Sequence, residues 1–275
     1  MDLSQALQVA VATADEAGAL LRRGINERKV VSRKSSAVDL VTEHDQAAET
    51  LIGQRLGSAF PEHRLVTEEG TEFSSNGQAQ GRYTWYIDPL DGTNNFAHGF
   101  PVFAVSIGLY EMGWPLLGVV YDPMRDESFS AVRGQGATLR TRDGSRPLQV
   151  SRETALLDSL LATGFPYDRH HSSDNNIAQL SAYLKAARGI RRAGAAALDL
   201  AYVAAGRLDG YWEYKLNSWD VAAGACLVLE AGGSITNADG TPWQIAPTVA
   251  MIASNGHIHE AMSAVLRSVD GNSHG

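Results

Sequence analysis

Tyr83-Thr84-Trp85-Tyr86-Ile87-Asp88-Pro89-Leu90-Asp91-Gly92-Thr93 changes character midway. Its first half is aromatic and β-branched, the composition of a strand. That strand delivers Asp88 to its carboxyl end. Pro89 fixes φ and has no N–H, so the strand cannot simply continue. Asp88 and Asp91 are therefore expected to flank a tight bend and point into one cavity, with the Leu90 carbonyl beside them. Carboxylates and carbonyls are the hard oxygen ligands that Mg2+ takes. Gly92 lets backbone approach a ligand closely. The amides of Gly92 and Thr93 could open a short helix whose N-terminus attracts phosphate. A surface turn uses the same residues, because Asp-Pro and Asp-Gly are common turn pairs. Asp122-Pro123, with no Gly-Thr after it, reads as such a turn alone. Spacing by itself leaves both readings of residues 88–93 standing.

Upstream, Leu3, Leu7, Ala10, Ala14, Ala17 and Leu21 recur at helical spacing, and Gly24 marks a stop. Residues 27–41 are polar and read as an exposed loop or hairpin. A second helix is expected over residues 43–59, burying Ala48, Leu51, Ile52 and Leu56. Residues 63–68 and 83–88 read as strands, and residues 102–110, 116–121 and 127–132 as a meander. Beyond residue 150 strands at 159–163, 208–213 and 249–254 alternate with helices at 172–187, 195–205, 219–231 and 257–266. That alternation suggests a sheet layered with helices. Arg142-Asp143-Gly144-Ser145 reads as a turn, and a boundary there gives two halves, 1–145 and 146–275, sharing one cleft.

Other acids carry two readings each. Glu68 closes the strand before the Asp88 strand and reaches the same cavity if the two are neighbours; otherwise Glu68-Glu69 is a solvated loop. Asp220 begins a helix, as a first-turn acid favourable with the helix dipole or as a rigid metal ligand. Thr42-Glu43-His44-Asp45 matches a capping box ahead of an apolar run. His257-Ile258-His259 reads as a helix end, Cys226 as core, and Arg191-Arg192 as exposed charge. No phosphate-binding Gly-Lys-Ser/Thr loop or Gly-x-Ser-x-Gly elbow is present, which argues against loop-based nucleotide hydrolysis and serine acyl transfer.

The chain has 275 residues, enough for a well-buried core. Its 23 basic against 31 acidic residues give a net charge of −8. Such a surface repels nucleic acid and anionic lipid, and a phosphorylated substrate too unless cations reverse the sign locally. Cys226 is the only cysteine, so no internal disulfide can form. The start lacks a signal-like apolar run and no stretch is long enough to span a bilayer, so a cytoplasmic protein without membrane contact is expected.

Several motifs together resemble one family. Asp88-Pro89-Leu90-Asp91-Gly92-Thr93-Asn94-Asn95-Phe96, with His98-Gly99-Phe100-Pro101 after it, resembles the first signature of the inositol monophosphatase family. Trp219-Asp220-Val221-Ala222-Ala223-Gly224, then Glu230-Ala231-Gly232-Gly233, is similar to the second. Asp39-Leu40-Val41-Thr42-Glu43-His44-Asp45 resembles its N-terminal motif, and residues 194–213 its bacterial branch.

The resemblance implies an α+β fold, a layered α-β-α-β-α sandwich of the type shared with fructose-1,6-bisphosphatase. It implies Mg2+ dependence with two to three ions per site, Mn2+ as a possible substitute, lithium inhibition and a homodimer. By position it makes Glu68, Asp88, the Leu90 carbonyl, Asp91 and Asp220 metal ligands. Thr93 and Asp45 become the pair that orients and deprotonates the attacking water. Gly92 and Thr93 amides meet the phosphate. Gly194, Ala195, Ala196 and Glu213 contact the hydroxyls of the substrate, a small phosphorylated polyol, sugar or amino alcohol. Lys34 falls in a loop that closes over the metals. Myo-inositol 1-phosphate is the first expected substrate, with histidinol phosphate, fructose 1,6-bisphosphate and 3′-phosphoadenosine phosphates as alternatives. Pro166-Tyr167-Asp168-Arg169 replaces the serine-rich turn of the animal enzymes and bears on substrate choice. A non-catalytic regulator of this shape would be expected to have lost a ligand, and here every ligand position is filled.

Overall fold

The computed structural model describes residues 1–27, 31–33, 40–70 and 81–270. The chain opens with helix α1 (Leu3–Gly24), the short strands β1 (Val31–Arg33) and β2 (Leu40–Thr42), and helix α2 (Glu43–Ala59). There follow β3 (Arg64–Thr67), β4 (Tyr83–Asp91), the short helix α3 (Thr93–Ala97), β5 (Ala104–Glu111), β6 (Trp114–Asp122), β7 (Glu127–Val132), β8 (Gly136–Thr141) and β9 (Gly144–Pro147). The remainder is β10 (Leu160–Thr163), α4 (Ile177–Ala186), β11 (Gly189–Arg191), α5 (Ala196–Ala204), β12 (Gly210–Asn217), α6 (Ser218–Glu230), β13 (Ser234–Asn237), β14 (Thr248–Ser254) and α7 (His259–Asp270).

Strands β3 to β9 form one seven-stranded sheet in chain order. A second sheet of five strands runs β11-β10-β12-β14-β13. Helices α1 and α2 cover the outer face of the large sheet. Helices α5 and α6 fill the space between the two sheets, and α4 and α7 close the outer face of the small one. The expected α-β-α-β-α layering is present. Three hydrophobic cores follow from it, one at each helical layer. The buried stripe of α1 is mostly alanine, Ala6, Ala10, Ala14 and Ala17. Leu3 and Leu7 sit half-buried at its edge. Among the described residues no helix is long and apolar enough to cross a membrane.

Two glycines set how closely the middle layer approaches the large sheet. Gly108 of β5 and Gly118 of β6 are register partners. A Cβ on Gly118 would stand 2.3 Å from the Ala223 carbonyl oxygen, and one on Gly108 would stand 2.9 Å from Ala222. The gap admits α6 directly onto the strands, and the Tyr110 hydroxyl donates to the Ala222 carbonyl across it at 3.0 Å. This contact carries the first turn of α6, and hence Asp220, to the end of β4.

Pro89 does not end β4. The strand pairs with β5 at Asp88↔Ser106 and again at Asp91↔Ala104, with a bulge between. A bulge leaves one residue unpaired and so accommodates a residue without an N–H. Strands β8, β9, β11 and β13 carried no sequence expectation. The turn at Arg142-Asp143 joins β8 to β9 within the large sheet. Helix α4 begins at Ile177, not near 172, because Asn176 has a left-handed φ of 66°.

Candidate active site

Strands β3 and β4 run parallel, with Thr67 beside Ile87. The next residue of each is an acid. The Glu68 amide donates to the Ile87 carbonyl at 3.2 Å, which sets Glu68 next to Asp88. The condition on which Glu68 could reach the cavity is therefore met. Asp88 is 2% exposed, and its Oδ1 accepts the Leu90 amide at 3.0 Å. That short bond shapes the bulge. Gly92 then takes φ +94° and caps α3. A Cβ there would lie 3.0 Å from the Val102 carbonyl oxygen, so glycine is required for conformation and for space.

Asp91 points into the middle layer. Its Oδ1 accepts the Ala196 amide at 3.0 Å and its Oδ2 the Ala197 amide at 2.8 Å. A carboxylate from the large sheet thus satisfies the orphan donors at the start of α5. Ala196, expected to meet substrate, has its amide engaged with Asp91. Burial pushes the Asp91 carboxyl up to about 7, even though the α5 amides pull the other way.

Asp45 and Asp220 prove to be the same device used twice. Each is the third residue of its helix and closes a capping box. Asp45 Oδ2 accepts the Thr42 amide at 2.8 Å and the Thr42 hydroxyl at 2.5 Å. Its Oδ1 accepts the Thr93 hydroxyl at 2.9 Å. Asp220 Oδ2 accepts the Asn217 amide at 2.7 Å. Both acids cap their helices, a role compatible with a place in the site. Burial raises the Asp45 carboxyl. Burial, and next the charge of Glu68, raise those of Asp88 and Asp220 well above the usual range.

Glu68, Asp88, Leu90, Asp91, Gly92, Thr93, Gly194, Ala195, Ala196, Glu213 and Asp220 line one cleft. Asp45 stands behind Thr93. Lys34 lies outside the described residues. Hard-oxygen donors from Glu68, Asp88, Asp91, Asp220 and the Leu90 carbonyl fit a divalent cation. Asp88, Asp91 and Asp220 form no ion pair with a basic side chain among the described residues. Those residues also show no three side chains closed around a single metal position.

The far wall is built differently. Glu213 lies on β12, pressed so close to Gly164 that a Cβ there would meet its carboxylate at 2.2 Å. The Tyr211 hydroxyl donates to its Oε2 at 2.5 Å. Burial pushes the Glu213 carboxyl up to about 7. Asn176, missed in the sequence, anchors this wall. Its Nδ2 donates to the Gly164 carbonyl at 2.7 Å and to Thr163 Oγ1 at 2.8 Å, while its Oδ1 accepts Trp212 Nε1 at 2.7 Å. The signal was Asp174-Asn175-Asn176 ahead of Ile177, which reads as an ordinary polar helix start. Asn95 ties the two walls together, donating to the Val102 carbonyl at 2.8 Å and the Ala193 carbonyl at 2.9 Å. Glu49 was also missed. It is buried on α2 and accepts the Glu69 amide at 2.8 Å, so the half-exposed Glu68-Glu69 turn is held in place. His259 pins Ser254 and Thr236, Cys226 is core, and Asp122 caps its own turn.

Comparison with known proteins gives a consistent answer. Residues 2–270 match the model of the inositol monophosphatase family. Inositol-1-monophosphatase of Synechocystis is 43% identical over 265 residues, covering 96% of this chain and 90% of that protein. The protein named Nus factor SuhB of Pseudomonas aeruginosa is 47% identical over 243 residues, 86% of each chain. The structure of inositol monophosphatase from Anabaena (Nostoc) superposes with a TM-score of 0.86 at 42% identity, covering 98% of both chains.

Proposed function

Proceeding from the fact that this chain belongs to the inositol monophosphatase family, we propose that it hydrolyses myo-inositol 1-phosphate to inositol and phosphate with Mg2+. Members of the family are metal-dependent phosphatases that hydrolyse phosphate monoesters. The finer reading is carried by one observation. Four carboxylates, Glu68, Asp88, Asp91 and Asp220, share a cleft with the Gly92–Thr93 turn and the Thr93–Asp45 hydrogen bond.

In this proposal Glu68, Asp88, the Leu90 carbonyl, Asp91 and Asp220 hold two to three Mg2+ ions, for which Mn2+ can substitute. When bound, the cations supply the Lewis acidity that makes water nucleophilic at neutral pH and offsets charge on the leaving oxygen. Thr93 accepts a proton from the attacking water as it passes its own to Asp45 Oδ1, with which it is already hydrogen-bonded. The Gly92 and Thr93 amides receive phosphoryl oxygens. Water oxygen bonds to phosphorus, the phosphorus–oxygen bond to the polyol breaks, and the leaving oxygen takes a proton from solvent. Gly194, Ala195 and Glu213 meet the polyol hydroxyls, as does Ala196 through atoms other than its amide. Residues 1–145 supply most metal and phosphate contacts, and residues 146–275 supply the leaving-group contacts and Asp220. A homodimer, lithium inhibition and a cytoplasmic setting belong to the same proposal.

Phosphate release from inositol 1-phosphate, histidinol phosphate, fructose 1,6-bisphosphate and 3′-phosphoadenosine phosphate, with Mg2+ and with chelator, tests it. Inositol 1-phosphate should give the highest kcat/KM, and only with Mg2+. Preference for another substrate would displace the inositol assignment. Release undiminished by chelator would displace the metal. The Pseudomonas relative is named a Nus factor; for this chain a second reading is a regulatory role through a protein partner, beside catalysis. An Asp91→Asn protein that loses turnover but still binds a partner would separate the two.

A further inference from the structure

Asp199 stands in the first turn of α5 and is 2% exposed. It lines the cleft together with Glu213 and Arg192. The sequence assigned it no role. Its neighbours in the site each have a hydrogen-bond partner. Asp45, Asp88, Asp91 and Asp220 accept backbone amides, and Glu213 accepts the Tyr211 hydroxyl. The Asp199 carboxylate accepts no hydrogen bond and forms no ion pair among the described residues. A carboxylate so enclosed is ordinarily hydrogen-bonded, because losing water without a replacement is costly. Its remaining access is to the cleft, so its hydrogen-bond donors come from what enters the cleft.

The surroundings narrow the ligand. Burial first, and then the like charges of Glu213 and Asp91, raise the Asp199 carboxyl well above the usual range, with Arg192 as the opposing charge. Arg192 acts on Glu213 as well. A guanidinium in reach of both acids disfavours an ammonium group between them but does not disfavour neutral hydroxyls. Two carboxylates from different elements, α5 and β12, also offer acceptors to more than one hydroxyl.

We propose that Asp199 is a specificity-determining residue that, paired with Glu213, accepts hydrogen bonds from hydroxyls on the leaving group of a neutral polyol phosphate. This rests on the phosphatase reading above and deepens it. It places the polyol end of the substrate against α5 as well as β12. It also disfavours amino-alcohol phosphates.

Asp199→Asn keeps size and removes charge; Asp199→Ala removes the group. Both should be assayed with inositol 1-phosphate and with p-nitrophenyl phosphate, whose leaving group has no hydroxyls, alongside thermal melting. The ratio of kcat/KM for the polyol to that for the aryl phosphate should fall at least about tenfold in both variants, a discrimination of about 1.4 kcal/mol. The change should lie mainly in KM, and Tm should hold or rise. A ratio within twofold of wild type, or equal losses on both substrates, would overturn the assignment. If wild type cleaves the aryl phosphate but no polyol phosphate, the substrate reading itself fails. If wild type cleaves polyol phosphates and the variants match its preference, the inference about Asp199 fails alone.

Discussion

The turn at residues 88–93 and the wall built by residues 163–176 and 211–217 face each other across one cleft, yet they are held by different means. On the turn side the main chain holds the carboxylates. Asp88 bonds an amide two residues away, Asp45 and Asp220 close capping boxes, and Asp91 takes two amides of α5. On the other side the holders are side chains. Tyr211 grips Glu213, Asn176 fixes Gly164, and Lys215 reaches Asp168. Backbone amides fix position tightly and cost little conformational entropy, because the fold has already ordered them. Side-chain contacts can be exchanged without moving an element. On the proposed reading, the phosphate end is built for fixed geometry, and the leaving-group end is open to variation in what it admits.

If so, the turn should be the most fragile part of the enzyme chemically. Asp91→Asn removes a charge that the bound cations need and turns an amide donor toward the Ala196 or Ala197 donor. Activity should drop by about a thousandfold or more, on the scale of losing a principal electrostatic contact. The change in metal-free stability should be much smaller, because the lost hydrogen bond is offset by relief of repulsion with Glu68. Mg2+ should raise the melting temperature of wild type and not of the variant. A folded Asp91→Asn protein with near-normal turnover would undo the metal assignment.

Thr93 is the next most sensitive position. Thr93→Ala keeps the amide and deletes the hydroxyl that bonds Asp45. kcat should fall roughly a hundredfold with little change in KM, in the range for loss of a proton-transfer group. Thr93→Ser should recover most of it. Equal losses in Ala and Ser variants would mean that the threonine serves packing instead.

The fixed acids also leave a signature in stability. Burial holds Asp91 near 7 against an ordinary 3.8. Between those values the folded, metal-free protein keeps a proton that the unfolded chain has released. Stability should therefore be fullest below about pH 4 as far as this group is concerned, and fall as pH rises through 7. The loss should be on the order of a few kcal/mol. Denaturant melts at pH 5 and pH 8 in chelator should show it, and Mg2+ should cancel it at pH 8 by favouring the ionised acids. A metal-free protein equally stable at both pH values would show that the acids are not buried together.

The same contrast explains what could be read in advance. Asp88, Asp91, Asp45 and Asp220 sit in local motifs, a Pro-Leu-Asp-Gly turn and two helix starts, and local motifs leave a pattern in the chain. Their convergence was not local. It depends on β3 lying beside β4 and on Gly108 and Gly118 admitting α6. Neither pairing has a short-range signature, so bare spacing left each acid undecided until the motifs were taken together. Asn176, Glu49 and Asp199 were illegible for the same reason. Asn176 joins residues more than ten positions away, Glu49 meets Glu69 across α2, and Asp199 looks like any acid in an early helical turn. The bulge at Pro89 was half visible: the proline announced a break, but the resumed pairing at Asp91 depends on β5.

Lys215 offers the mildest test of the side-chain wall. It sits at the bulge of β12 with φ +56°, and its Nζ donates to Asp168 Oδ2 at 2.8 Å and to Ser172 Oγ at 2.9 Å. These contacts tie the 166–172 turn to the strand that carries Glu213. Asp168 is more exposed than Lys215, so water and salt screen the pair, which is worth under about 1 kcal/mol. Lys215→Met keeps the stem and drops the charge. KM should rise about two- to threefold, corresponding to a few tenths of a kcal/mol, with kcat unchanged. Raising salt should move wild type toward the variant, because screening removes the same attraction. A variant whose kcat falls with KM constant would place Lys215 on the turn side of the comparison, among the groups that act in the transition state.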